Sequence, residues 1–390
     1  MIAIKGAIIY TMDEKGIIKD GTVIIDGGKI LALGSNLVIP LGCDIVNASG
    51  DYIFPGFIDA HNHIGLEEEI YGTVGSDVNE TSHPVTPELQ AVDGINFADL
   101  AFEDALRGGV TSSLCMPGSA NIIGGQAVLV QHLADHMSNM IHKKPWGLKA
   151  ALGENPKKVY AQEKKAPVTR MANASLLRES LYNAGKSVDK DSNDLRSDYK
   201  DRPLRMVLRK EMPLLLHAHR ADDILTALRI QDEFNIDMII QHGTEAFLVA
   251  DELVKRDVPV FYGPLIVNRA KVEMKAVRLS NVSLLADRGV NFSLITDHPV
   301  VPIEHLRVCA ALAVREGLDE QKAIASITSS PAQILKVGDE IGSLKEGKRA
   351  DLTVFDGHPF DFRTRVKMTM VNGILWFNQE YRSFKKEEEV

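Results

Sequence analysis

The chain has 390 residues, 45% hydrophobic and 25% charged, the balance of an ordinary globular protein large enough for one catalytic domain plus a smaller one. Its formal net charge of −9 argues against nucleic acid or an anionic membrane surface as the main partner. No apolar run approaches the roughly 20 residues of a membrane span, and residues 1–9 lack a basic segment ahead of a long apolar core, so neither a membrane protein nor a signal peptide is expected.

Residues 1 to about 50 read as β structure. The segments 22–25 and 29–33 flank Asp26-Gly27-Gly28, the composition of a tight hairpin turn. Cys43, Cys115 and Cys309 are odd in number and lack CxxC spacing, which suits reduced packing residues of a cytoplasmic protein. From about 55 to 335 short strands alternate with helical stretches, the pattern of a parallel α/β fold. Strands are expected at 57–60, 110–115, 147–152, 214–216, 238–241, 258–261 and 292–296, with an eighth near 127–130 or after Asn155. Apolar residues recur at helical spacing in 95–107, 222–233 and 318–326. Residues 156–212 break the alternation with a charged insertion, expected to be helical and solvated and to lie beside the site, where long connections tend to act as lids. The last 50 residues return to β character, with Asn372-Gly373 at a hairpin turn, and 385–390 reads as a solvated helix end or disordered tip. The expected architecture is therefore α/β: a (β/α)8 TIM-like barrel over 55–337 and a small β-sandwich built from both termini, 1–54 and 338–390.

The chemistry is concentrated at strand ends. Residues 55–63, Pro-Gly-Phe-Ile-Asp-Ala-His-Asn-His, run an apolar strand into two histidines spaced i, i+2, which share one strand face and can chelate one ion. A lone pair of this kind is most often packing. Here three more apolar strands end in ligand types, at His217-Ala218-His219, His242 and Asp297. In a (β/α)8 barrel the carboxyl ends of all strands converge on one face, which brings His61, His63, His217, His242 and Asp297 together. Imidazoles with a carboxylate suit a divalent ion, zinc first, with iron, manganese or nickel under other supply and one or two ions in all.

With these motifs, together with Thr-Asp-His at 296–298 and Gly-Ser-Leu-Lys-Glu-Gly-Lys-Arg-Ala-Asp-Leu at 342–352, the chain resembles the metal-dependent amidohydrolase superfamily, in particular its imidazolonepropionase-like and prolidase-like members. The resemblance covers nearly the whole chain. It implies that His61 and His63 ligate from the first strand, His217 from the fifth, His242 from the sixth and Asp297 from the eighth. His219 would then be a neighbour of the ligands or face substrate. Relatives take a further ligand near the fourth strand, either a carboxylated lysine or a glutamate. Residues 146–156 offer both: Glu154, at the strand end before Pro156, is preferred, and Lys149, an amine costly to bury in an apolar run, is the alternative.

The expected reaction is hydrolysis of an amide or cyclic-amide C–N bond in a small molecule or dipeptide. A bound metal makes hydroxide available at neutral pH, and Asp297 takes the water's proton and returns it to the leaving nitrogen. No Gly-x-Ser-x-Gly elbow or Walker loop offers another chemistry. Substrate contacts are sought among His219, Arg170, Tyr160 and His298, with His83 and Arg220 as further polar side chains. The glycines of 117–126 either approach a ligand or form a plain hairpin. A deaminase of a heterocyclic amine is the alternative reaction, disfavoured because His219 and Arg220 stand where such enzymes carry a glutamate after the fifth-strand histidine. A non-catalytic scaffold is a third reading, opposed by the full ligand set. A small-molecule substrate, a homo-oligomer and a cytoplasmic location are expected, without nucleic-acid or membrane partners.

Overall fold

The computed structural model describes residues 1–69, 73–186 and 199–377. Among them, no helix is long and apolar enough to cross a membrane. The tail at 385–390, and the middle of the charged insertion, lie outside the described residues.

The chain begins with β1 (Ile2–Tyr10), β2 (Ile17–Asp26), β3 (Lys29–Ser35), β4 (Asp44–Asn47) and β5 (Tyr52–Pro55). Gly27 and Gly28 turn β2 into β3 with φ of 54° and 78°. Two successive left-handed residues match the twist of the flanking strands, which is why a Gly-Gly pair sits there. The barrel strands follow: β6 (Phe57–Asn62), β7 (Val110–Cys115), β8 (Ile123–Gln131), β9 (Ile141–Ala151), β10 (Leu214–Ala218), β11 (Met238–His242), β12 (Val260–Tyr262) and β13 (Phe292–Leu294). The chain returns to β14 (Leu352–Phe355), β15 (Val366–Val371) and β16 (Ile374–Phe377), the last two joined at Asn372-Gly373 with φ of 49° and 78°.

Both termini enter one sheet, in the order β16-β15-β14-β5-β1-β2-β3 with β4 also on β1. Its seam is β5 against β14, antiparallel, with Pro55 opposite Leu352. Ile4, Ile9, Val23, Ile25, Leu352 and Met370 make its buried face.

The second sheet runs β6 to β13 in sequence order and nearly closes. Its two edge strands approach each other where the Asp297 N–H reaches His61 O at 3.2 Å and the Thr296 N–H reaches an Asp59 carboxylate oxygen at 3.3 Å. A buried cluster draws Ile58, Leu114, Leu129, Leu215, Ile239 and Phe261 from six different strands, a set that meets only inside a barrel. The eighth strand is the expected one near 127–130, but the strands are not all parallel as expected. β8 runs antiparallel to both β7 and β9. Residues 116–122 are too few for a parallel crossover, which takes a dozen or more, so the chain turns straight back.

Helices occupy Ala101–Arg107, Ala221–Phe234 and Glu320–Ala325, the first starting later than its apolar spacing suggests. The charged insertion forms the helices Glu154–Gln162, Arg170–Gly185 and Asp201–Leu208, of which Leu177, Leu181, Leu204 and Val207 are buried. These helices pack on the barrel rather than standing in solvent. Gly108, which ends the first helix, has room for nothing larger: a Cβ there would stand 2.3 Å from Glu304 Cα. Backbone cannot rotate away, so Gly108→Ala is expected to cost about 1–3 kcal/mol, read as a lowered midpoint in denaturant unfolding.

Candidate metal centre

The strands deliver the expected side chains to one place. His61 Nε2 and His63 Nε2 lie 3.1 and 3.3 Å from Asp297 Oδ1. The His242 ring packs 4.7 Å from that of His61, 4.5 Å from that of His217 and 4.9 Å from that of His219. Donor atoms of His61, His242 and Asp297 fall within 4.8 Å of one another, and so do those of His217, His219 and His242. His242 and Asp297 hold left-handed backbone, φ 69° and 56°. Such backbone is uncommon outside glycine and costs energy, so the surrounding structure is holding both residues in place.

Hydrogen bonds fix which ring nitrogen faces inward. His61 Nδ1 donates to Gln241 Oε1 at 2.6 Å, and Gln241 Nε2 donates to Ile239 O, which sets the amide's orientation. His63 Nδ1 donates to Met116 O at 2.7 Å and His242 Nδ1 to Gly263 O at 2.9 Å. Carbonyl oxygens only accept, so each ring carries its proton on Nδ1 and turns the Nε2 lone pair inward. Two such lone pairs face the Asp297 carboxylate, acceptor against acceptor. This arrangement is repulsive without a cation or proton between, and it fits a divalent ion held by oriented imidazoles.

Burial keeps the rings of His61, His217, His219 and His242 neutral. It pushes His61 down to about 4, helped by the nearby Lys149 and opposed by Asp297. It pushes His219 down to about 4, and His217 and His242 well below the ordinary range. Burial alone would raise Asp297, but positive charge at His242, His61 and His63, present whenever those rings carry a second proton, outweighs it and holds the carboxyl well below the usual range. His132 and His298 are likewise pushed down to about 4, mainly by burial.

A pH dependence follows. Between about 4 and 6.5 the unfolded chain binds protons on these histidines and the folded chain does not. Folding stability contributed by the neutral rings is therefore full above 6.5 and is lost as pH falls toward 4. Asp59, raised to about 6 by burial, works in the opposite direction, as do Asp51, Glu69, Asp99, Asp223 and Asp351: among the described residues, six carboxyls against the eight histidines that burial lowers. Chelator-treated protein should show a melting temperature that drops steadily through this window; a flat profile would contradict the assignment.

Lys149 pairs in register with the interior residue Leu215 and is itself buried, its Nζ without a hydrogen-bond partner. Burial lowers its amine to about 8, opposed by Asp297. Glu154 opens the helix after β9, where its backbone N–H donates to Glu273 Oε2 at 2.9 Å and a carboxylate oxygen lies 3.5 Å from the Glu273 backbone N. Glu154 joins neither donor group.

A cavity of about 630 Å³ opens over the centre, walled by His63, His217, His219, His242 and Asp297 together with Ser119, Asn155 and Lys271. Of the proposed substrate contacts, His219 alone lines it. Tyr160 is buried and its hydroxyl donates to Asn121 Oδ1 at 2.7 Å. Arg170 Nε is committed to Asp223 at 2.9 Å. His298 Nδ1 accepts the Ile303 N–H at 3.2 Å, which leaves its Nε2 toward Glu69, 3.6 Å away. His83 bonds Val85 O within its own loop, and Arg220 bonds Asp222 at the start of the next helix. Asn155, just ahead of the charged insertion, lines the wall, and none of the insertion's described residues does. Gly118 and Ser119 line it, whereas 123–131 is strand.

Four residues were not singled out from sequence. Gln241 orients His61. Asp59, fully buried, accepts from Asn62 Nδ2 and the Thr296 hydroxyl and so ties β6 to the turn bearing Asp297. Both are polar residues inside apolar strands, a readable signal. Lys271 and the buried Glu273 come from a short 3-10 turn, Val272–Met274, and its approach, which has no periodicity to read.

A profile of the Amidohydrolase family matches residues 206–375. An amidohydrolase from Thermotoga maritima MSB8 is 41% identical and superposes with a TM-score of 0.93 over 97% of this chain and all of its own. The amidohydrolase tasK of Hapsidospora irregularis is 27% identical over 92% of this chain, which spans only 40% of that relative's length. A prolidase solved with N-methylphosphonate-L-proline shares the fold, with a TM-score of 0.60 at 16% identity over 97% of this chain and all of its own. The chain belongs to the amidohydrolase family, the hydrolases of carbon–nitrogen bonds.

Proposed function

We propose that the protein is a metal-dependent hydrolase of an amide or cyclic-amide C–N bond in a small molecule or dipeptide, with a divalent ion, zinc first, held by His61, His63, His217, His242 and Asp297. The observation that carries this reading is the set of inward Nε2 lone pairs of His61 and His63 facing Asp297 Oδ1 at 3.1 and 3.3 Å. Such an ion supplies Lewis acidity and water that ionises near neutral pH. Asp297, ionised and at the cavity wall, accepts the proton of the attacking water and passes it to the leaving nitrogen. Asn155, Ser119 and Lys271 offer the amide, hydroxyl and ammonium groups that orient a substrate. Arg170, Tyr160 and His298, which do not line the cavity, are given no part in binding substrate.

Lys149 is the further ligand we favour over Glu154. A buried amine without a partner is costly, and at about 8 a fraction of it is neutral near physiological pH. The neutral amine adds CO2 and releases a proton to give a carbamate, whose oxygens are donors a divalent ion accepts. Glu154 is engaged at the start of its helix instead.

The test is a panel of N-acyl amino acids, Xaa-Pro dipeptides, imidazolones, lactams and heterocyclic amines, run with zinc- or manganese-loaded protein. New carboxylate from an amide, abolished by chelator and restored by metal, is the expected result. Ammonia release from the amines alone would move the assignment to deamination. Turnover that survives complete metal removal would sink both.

A further inference from the structure

We infer that the substrate is a free dipeptide, its ammonium paired with Glu67 and its carboxylate with Lys271 on opposite sides of the metal centre; this narrows the proposed function and rests on it. Both side chains line the cavity. Among the described residues, neither charged group has a hydrogen-bond or ion-pair partner. Glu67 stands at the end of β6, where its backbone N–H donates to His63 O at 3.0 Å. Lys271 lies in the connection after β12, which reaches to the far side of the barrel. Two residues on, Glu273 accepts the Glu154 backbone N–H beyond β9 and has an oxygen 3.8 Å from His217 Nε2 of β10. In the sheet order from β6 to β13, β9 and β10 are three and four strands from β6, across a nearly closed barrel. The metal-centre side chains lie between the two charges.

Each charge asks for its opposite. An ammonium without a partner, in the wall of a site that receives a divalent cation, meets like charge. A substrate carboxylate offsets this with a charge-assisted hydrogen bond, and Glu67 offers the matching acceptor to an ammonium. A free dipeptide carries one charge at each end and its amide bond between them, so pairing both ends sets that bond over the metal centre. Ile266, Val267 and Met274 line the cavity from the same connection as Lys271, and Ile266 is 42% exposed. They suit an apolar side chain on the residue that bears the carboxylate. Hydrolysis of the bond consumes one water and releases two amino acids.

The probes are Ala-Leu, its C-terminal amide and its N-acetyl form, each assayed for kcat/KM with the zinc-loaded full chain. Calorimetry of the ketomethylene isostere of Ala-Leu, which keeps both charges and cannot be cleaved, reads the same contacts without turnover. Ala-Leu should exceed each blocked form by about 10–100-fold, the worth of a hydrogen bond to a charged group. Lys271→Met should erase the preference over the amide, and Lys271→Arg should keep most of it. Glu67→Gln should erase the preference over the N-acetyl form. Affinity for the isostere should fall by a similar factor in Lys271→Met and in Glu67→Gln. Preferences that survive these substitutions overturn the pairing. Equal metal-dependent rates on Ala-Leu and both blocked forms overturn it too, and leave the proposed function standing. An N-acetyl form cleaved faster than Ala-Leu replaces the dipeptide with an N-acyl amino acid. Absence of turnover on every amide counts against the proposed function, and the isostere still decides the pairing: no binding overturns it. Should a variant fail to fold, the blocked forms on the wild type decide.

Discussion

Asp297→Asn is expected to lower kcat by at least ~10²-fold, the scale of general acid–base catalysis, on whichever amide the panel identifies, while the protein melts at a near-normal temperature and keeps most of its metal. The substitution preserves shape and one oxygen, so the contacts of Oδ1 with His61 and His63 survive in form. It removes the capacity to accept a proton. Arg307 does not pair with this carboxylate: it donates to Pro359 O, Asp361 O and Thr364 O. A mutant that turns over at close to the wild-type rate would rule out the proton-transfer role, and one that loses its metal would make Asp297 a ligand first.

Lys149→Met should have two opposite effects. Without metal, an apolar chain of similar length replaces a buried amine that has no hydrogen-bond partner, so the apo-protein is expected to melt higher. With metal, removal of the proposed carbamate should weaken binding by about 10–100-fold or more, since even outer partners of metal ligands are worth that much. Glu154→Gln should leave affinity within a few-fold. Equilibrium dialysis against a competing chelator measures all three proteins. The reverse pattern, with metal lost in Glu154→Gln and kept in Lys149→Met, would return the assignment to Glu154.

The convergence of these side chains was legible where a strand carried them. His61, His63, His217, His242 and Asp297 each end an apolar run, and parallel barrel topology forces such ends together whatever their separation in sequence. Strand direction was not legible, because alternation looks the same in either sense; β8 was found as a strand and misjudged only in running antiparallel. The choice between Lys149 and Glu154 turned on position in the chain, whereas register places Lys149 beside Leu215 inside the barrel. Arg170 and Tyr160 have the chemistry of substrate contacts, but Asp223 and Asn121 occupy it. Glu273 comes from a three-residue turn, and nothing in its neighbours marks it as a residue that meets the two histidines at the end of β10.

The seam between β5 and β14 joins Pro55 to Leu352, nearly 300 residues later. At a synthesis rate of about 5–20 residues per second, β5 waits roughly 15–60 s on the ribosome before its partner exists. During that interval the edge of a hydrophobic, Ile-rich sheet presents free N–H and C=O groups to any neighbouring nascent chain, the condition for intermolecular strand pairing. Yield in the cell should therefore depend on translation speed and chaperone supply across residues 55–352 more than on the equilibrium stability of the finished fold.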